Sequence, residues 1–147
     1  MKKLKDILVQ LSTKEIIGTT TLEINSVQFD SRKVAPNDLF VAQKGVTVDG
    51  HLFIDKAVSL GATVIVCEVF PEIFFPNITY IKVDDANSAL AILAANYYNN
   101  PSLRLKLIGV TGTNGKTTIA SLLFQLFKKA GFKVGLLSTV KVAVNDK

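Results

Sequence analysis

The stretch GVTGTNGKTT, residues 109–118, holds the residue types and spacing that phosphate chemistry needs. Phosphate oxygens are bound by several converging N–H donors, and glycines let the backbone close around them without side-chain clash. Gly112 and Gly115 supply that freedom, with Thr113 and Asn114 between them. A helix predicted to start near Lys116 would aim its N-terminal amides and positive dipole end at the same phosphates. Lys116 adds a mobile full charge for the β- and γ-phosphates and is the candidate catalytic residue, while Thr117 offers a hydroxyl to Mg²⁺. Thr118 completes the segment. The pattern departs from the strict G-x-x-x-x-G-K-[ST] loop, because position 110 is Val110 and the first loop glycine stands three residues before Gly115. A glycine turn with a solvated lysine does not account for strand, loop, Lys-Thr-Thr and helix together. A partitioning or nucleotide-kinase type of P-loop NTPase expects glycine at 110. The segment Gly112 to Thr118 therefore predicts binding of ATP with Mg²⁺.

Other residue types that could do chemistry have simpler readings. His51, the single histidine, follows Asp49 and Gly50 where a helix begins, so capping or loop bracing explains it better than catalysis. Asp84 and Asp85 resemble a metal pair, yet they stand just before an apolar helix, where an N-cap is expected. Cys67 lies in the apolar run ATVIVCEV, where a thiol acts as a small buried hydrophobe, and a lone cysteine forms no internal disulfide. The stripe Leu122, Leu123, Leu126 and Phe127 has helical spacing and reads as core packing.

These residues need elements to position them. Residues 4–11 have the spacing of a short amphipathic helix, which Gly18 and the threonines after it end, and a loop or edge strand follows. Leu22 to Phe29 alternates with a phase slip at Asn25-Ser26, predicting a strand with a turn or bulge. Pro36-Asn37-Asp38 is a turn, Leu39 to Ala42 a short buried strand, and Lys44 to Gly50 a glycine-bounded loop. His51 to Leu60 has a helical face with Gly61 as its C-cap. Ala62 to Cys67 and Ile78 to Val83 are buried strands, and Ala86 to about Tyr98 is a helix. This order predicts an α/β layer fold with a largely parallel sheet. A boundary falls near Asn99 to Leu103. Beyond it, a strand over Leu105 to Val110, a helix over Lys116 to Ala130 and a strand over Lys133 to Ser138 make one βαβ unit, which needs neighbouring strands to cover the sheet faces. The expected class is α/β: an N-terminal mixed or parallel-sheet domain over residues 1–100, then the start of a P-loop α/β domain over 104–147. The chain reads as a fragment that stops before an active site is complete and that does not catalyse by itself.

Composition narrows the partners. With 48% hydrophobic and 20% charged residues among 147, the chain can bury a core and does not resemble a disordered one. The apolar runs fall short of the ~18 to 20 residues that cross a bilayer. MKKLKDILVQL reads as a first amphipathic helix of a cytoplasmic protein, since Lys5 and Asp6 interrupt the apolar stretch and no small-residue cleavage site follows. The net charge of +5 is spread along the chain without interleaved aromatics, so no nucleic-acid and no membrane partner is expected, and an anionic small molecule explains the balance.

The loop TGTNGKTT resembles the ATP loop of the Mur ligase superfamily, which also includes folylpolyglutamate and cyanophycin synthetases. A second block, FDSRKVAPNDLFVAQKGVTVDGHLFIDKAVSLGA, from Phe29 to Ala62, resembles the first domain of the members that extend UDP-N-acetylmuramoyl peptides, a segment the folate ligases lack. Within that group GVTGTNGKTT is more similar to the synthetases that add the third residue, because the D-Ala-D-Ala-adding ligases usually have serine where Thr113 stands. The resemblance implies that residues 1–100 hold a uridine nucleotide, with Phe29, Ser31, Val46, Thr47 and Val48 as substrate-binding positions. Read by itself, Asp30-Ser31 also makes an Asx-type turn, and Arg32 pairs with a nearby carboxylate or phosphate. The resemblance further implies UDP-N-acetylmuramoyl-dipeptide and a diamino acid as substrates, either diaminopimelate or lysine. The D-glutamate carboxylate would be phosphorylated by ATP and then attacked by the amine. The alternatives are the D-Ala-D-Ala-adding Mur ligase and a UDP-sugar-binding module without catalysis.

Overall fold

The computed structural model describes residues 1–45 and 48–145. The chain forms two compact units, Met1–Leu105 and Lys106–Lys147. In the first, β1 (Lys2–Lys3) leads into a single-turn helix α1 (Leu4–Ile7), and β2 (Glu15–Ile17), β3 (Glu23–Ile24) and β4 (Val27–Gln28) follow. A 3₁₀ turn at Ser31–Lys33 precedes β5 (Leu39–Val41), and a second at Gly50–Phe53 runs into α2 (Ile54–Ser59). Then come β6 (Val64–Cys67), β7 (Thr79–Lys82) and α3 (Ala86–Tyr97), closed by a 3₁₀ turn at Pro101–Arg104.

Five strands form one mixed sheet in the order β2-β7-β6-β5-β4. The last four are mutually parallel, with Phe40 opposite Gln28 and Ile65, and β2 pairs antiparallel along the outer edge of β7. The period of two divides the side chains between two cores. Leu39, Val41, Val64, Val66 and Ile81 face α1 and α3, packing on Leu4, Ile7, Ala89 and Leu93. Phe40, Ile65, Cys67 and Tyr80 face the other way, onto Ile54 and Ala57 of α2. Burial on both faces is why these strands read as continuous apolar runs. The phase slip at Asn25-Ser26 is where the chain leaves β3, paired with β1, and enters β4 of the five-stranded sheet. One expected strand is thus two, in different sheets.

The second unit holds α4 (Lys116–Lys129) and an antiparallel hairpin of β8 (Gly135–Leu137) and β9 (Val142–Val144). The strand expected over Leu105 to Val110 is not formed: no ladder pairs it among the described residues. A strand is defined by its partners' hydrogen bonds, and this apolar segment has no ladder, although Leu107 and Ile108 line one cleft with Leu123, Phe124 and Phe127 of α4. The expected βαβ unit is therefore a helix with a hairpin. No residue of α4 is buried, so its Leu/Phe stripe is not a filled core.

Candidate functional site

In the first unit the carboxyl ends of β4 and β5 open into a cleft of about 480 Å³. Ligand crevices in open α/β sheets lie outside the strands' carboxyl ends. Here the parallel strands follow one another in sequence order, so the crevice sits at the sheet's edge instead of at a reversal of strand order. Phe29, immediately after β4, is 62% exposed and presents an aromatic face to the cleft, and Val48, 50% exposed, adds an apolar surface. Ser31 is only 7% exposed, yet among the described residues no protein partner holds its hydroxyl, which is left for the cleft it lines. Phe29, Ser31 and Val48 thus line one cleft. Val46 and Thr47 lie outside the described residues.

The Asx turn at Asp30 is formed as well. Asp30 Oδ1 accepts the Arg32 amide at 3.1 Å, and the Arg32 guanidinium grips the same carboxylate through Nε at 2.9 Å and Nη2 at 2.8 Å. The Arg32 side chain and amide hold the Asp30 carboxyl down at about 2. Arg32 is therefore engaged with a carboxylate in the turn.

The glycine-bounded loop is a hairpin with a tight neck. Gly50 N donates to Gln43 O at 2.7 Å, and Gly45 N donates to Val48 O at 3.0 Å. His51 braces it: its amide and Nδ1 both meet Asp49 Oδ1, at 2.9 and 2.6 Å, and Nε2 accepts the amides of Glu68 at 3.0 Å and Val69 at 3.3 Å. Because Nε2 accepts, the ring proton sits on Nδ1, with no lone pair free for catalysis or a metal. The Asp49 carboxyl is lowered by the His51 amide and then by its ring. Glu68 continues the chain of contacts, accepting Ala86 N at 3.0 Å, while Asp85 caps α3 through the amides of Asn87 and Ser88. Asp84 pairs with Lys14. Both carboxylates are thus engaged by protein groups, and among the described residues no group of three His, Cys, Asp or Glu side chains could hold a metal ion. Cys67 is buried, and desolvation pushes its thiol up to about 11.

In the second unit the loop runs straight into α4. Gly112 and Gly115 take φ of +145° and +76°, a region that L side chains avoid, so both glycines are required by the turn. Helix α4 starts without a side-chain cap, leaving its first amides directed at the loop. The Lys116 ammonium folds back onto the carbonyl oxygens of Gly112 and Thr113, the latter at 3.3 Å. Thr117 and Lys116 line a cleft of about 200 Å³ together with Val110, Ala120, Leu137, Ser138 and Thr139. Uncapped amides, a lysine at the turn and the hydroxyls of Thr117, Ser138 and Thr139 could serve a nucleotide phosphate and its cation, whereas a free divalent ion would lack carboxylates here.

Some cleft-lining residues escaped the sequence reading. Gln43, Phe53 and Lys56 in the first unit, and Ser138 and Thr139 in the second, belong to neighbouring elements that only the fold brings in. The i, i+3 spacing of Phe53 and Lys56 at the start of α2 was the available signal. No helix of the described residues is long and apolar enough to cross a membrane.

Comparison with known proteins bears on both units. The Mur ligase family, catalytic domain, matches residues 23–98, and the Mur ligase middle domain matches residues 110–147. The UDP-N-acetylmuramoyl-L-alanyl-D-glutamate--2,6-diaminopimelate ligase of Phocaeicola vulgatus is 49% identical over 94% of this chain and 28% of its own length. Its namesake in Cytophaga hutchinsonii is 47% identical over 99% of this chain and 30% of its own. The chain thus spans under a third of the curated relatives it matches. Among solved structures, a ligase of that same name superposes with a TM-score of 0.74 at 20% identity, over 100% of this chain and 30% of that one, a likeness of fold. The MurF ligase of Thermotoga maritima in complex with ADP gives 0.54 at 34% identity, over 71% of this chain and 23% of that one.

Proposed function

This chain belongs to the Mur ligase family, and on that premise we propose that it supplies the nucleotide-sugar cleft and the ATP loop of an ATP-dependent ligase. The ligase joins 2,6-diaminopimelate to UDP-N-acetylmuramoyl-L-alanyl-D-glutamate in peptidoglycan synthesis, in the cytoplasm. The observation that carries the proposal is the loop 112–118 running uncapped into α4 with Lys116 at its turn. The identity of 44–49% to ligases named for diaminopimelate supports that amino acid over lysine. The solved D-Ala-D-Ala-adding MurF relatives from Acinetobacter baumannii are 27% identical.

At neutral pH an amine and a carboxylate form a salt, so the D-glutamate carboxylate must first become an acyl donor. ATP supplies that phosphoryl group, and the diaminopimelate amine then attacks the acyl phosphate with loss of phosphate. Lys116 would exchange the carbonyls of Gly112 and Thr113 for the β- and γ-phosphate oxygens, a short swing because it already lies over the loop. The amides of α4's first turn would hold the phosphates, and the Thr117 hydroxyl would hold Mg²⁺, which neutralises charge on the transferring group. In the first unit, Phe29 and Val48 would flank the uracil ring and Ser31 would pair with its polar edge, with Val46 and Thr47 contributing from the same loop.

The test is a ligation assay on the complete enzyme that contains this chain, with UDP-N-acetylmuramoyl-L-Ala-D-Glu, ATP-Mg and either diaminopimelate or L-lysine, read by phosphate release and product mass. A diaminopimelate adduct is expected. A lysine adduct would reassign the amino acid, and D-Ala-D-Ala addition to a tripeptide acceptor would overturn the reading.

A further inference from the structure

The first unit's cleft has one cation that nothing on the protein neutralises. Among the described residues that line it, Asp30 and Arg32 are locked together through two side-chain bonds of 2.9 and 2.8 Å, so their charges cancel locally. The Gln43 amide is engaged by Asn87 Oδ1 at 2.7 Å, and Ser31 is neutral. Lys56, on α2, also lines the cleft, and among the described residues no hydrogen bond or ion pair holds its ammonium. Its neighbours in charge, Lys33, Lys44, Asp49 and Asp55, do not line the cleft. Phe29, Val48 and Phe53 give the same cleft apolar and aromatic surface. A ligand suited to this lining combines a flat ring with an anion.

We propose that Lys56 is the anion anchor of this cleft and contacts a phosphate of the bound nucleotide, so that the cleft discriminates a uridine diphosphate from uridine by charge. The inference rests on the uridine reading of the cleft and adds the residue that selects the phosphorylated form. A lysine suits this task because its flexible stem and three rotatable donors follow a diphosphate without demanding one geometry. The ammonium is exposed, so the contact is screened by salt and gives a moderate preference.

Calorimetry on this chain, titrated with uridine, UMP and UDP, tests the assignment in the parent and in Lys56→Gln and Lys33→Gln variants. In the parent, UDP should bind more tightly than uridine, by about tenfold at low salt, with the gap narrowing as ionic strength rises. Lys56→Gln should remove most of that gap and leave uridine binding unchanged, and Lys33→Gln should change neither. The proposal is overturned if UDP binds no better than uridine, if Lys56→Gln leaves the gap intact, or if it weakens uridine and UDP alike. An equal loss in both lysine variants would also overturn it, because the preference would then come from the general positive field. Absence of binding by all three ligands to the folded parent would overturn the uridine cleft itself, a pattern separate from each of the others.

Discussion

Lys116 rests on the carbonyl oxygens of Gly112 and Thr113, and its ammonium leaves them only when a stronger acceptor arrives. On the proposed role, replacing it with alanine in the complete enzyme would remove a full charge from beside the transferring phosphate. The expected loss in kcat is on the order of 10² to 10³, as for other preorganised electrostatic groups, with uridine-nucleotide binding unchanged. A loss confined to KM for ATP would mean that Lys116 only helps to bind the nucleotide. The Asp30 turn gives a pH signature. Its folded carboxyl lies at about 2, below the ordinary 3.8, so the turn's contribution is complete above about 3.8 and is lost as pH falls through about 2. An NMR titration of that carboxyl should have its midpoint near 2, and a midpoint near 3.8 would show that Arg32 does not hold it in solution. The position of Lys116 at the head of α4 was legible from spacing alone, because the loop and the helix start are local in sequence. Lys56 was not, because its part in the cleft depends on α2 packing beside β5.

Element types followed the apolar pattern wherever an element is covered by its neighbours. The runs at Leu39, Val64 and Thr79 are strands because both sheet faces are covered, and Ala86–Tyr97 is a helix capped by Asp85, one of the two aspartates expected there. Leu105 to Val110 has the same apolar character and no ladder, since hydrophobicity states what a segment can bury and does not supply the strand that pairs with it. The hairpin from Gln43 to Gly50 was legible only as a loop, and its precision comes from its neck. A Cβ on Gly50 would stand 2.5 Å from Gln43 O and 2.8 Å from Gln43 N, both backbone atoms. Gly50→Ala must therefore open the neck and displace the hairpin that carries Val48 into the cleft. Calorimetry should report a loss of uridine-nucleotide affinity on the order of tenfold, because displacement of a positioned group by about 1 Å is costly. Unchanged affinity would detach the hairpin from the site.

At the scale of the whole molecule, the two units differ sharply in how much they bury. The first has two apolar cores on opposite faces of one sheet, and Leu93 is fully buried in one of them. Truncating that side chain to alanine should cost about 2–5 kcal/mol, read as a lowered urea midpoint. Of the second unit's described residues, only Leu136 and Ala143 are buried, while Ile119, Leu122 and Leu126 of α4 remain exposed. Helices draw most of their stability from packing an apolar face, so α4 in this chain has little beyond its own propensity to hold it. Hydrogen exchange on the 147-residue chain should then separate the units: amides of β5, β6 and β7 exchange only through opening of the first core, and those of α4 exchange faster by more than about a hundredfold. On the proposed reading ATP-Mg would tie the loop to α4's first turn, so saturating nucleotide should slow exchange in α4 and leave β6 unchanged. Equal protection in both units without nucleotide would mean that α4 is held by contacts other than the described ones, and nucleotide that protects neither would remove the loop's assigned ligand.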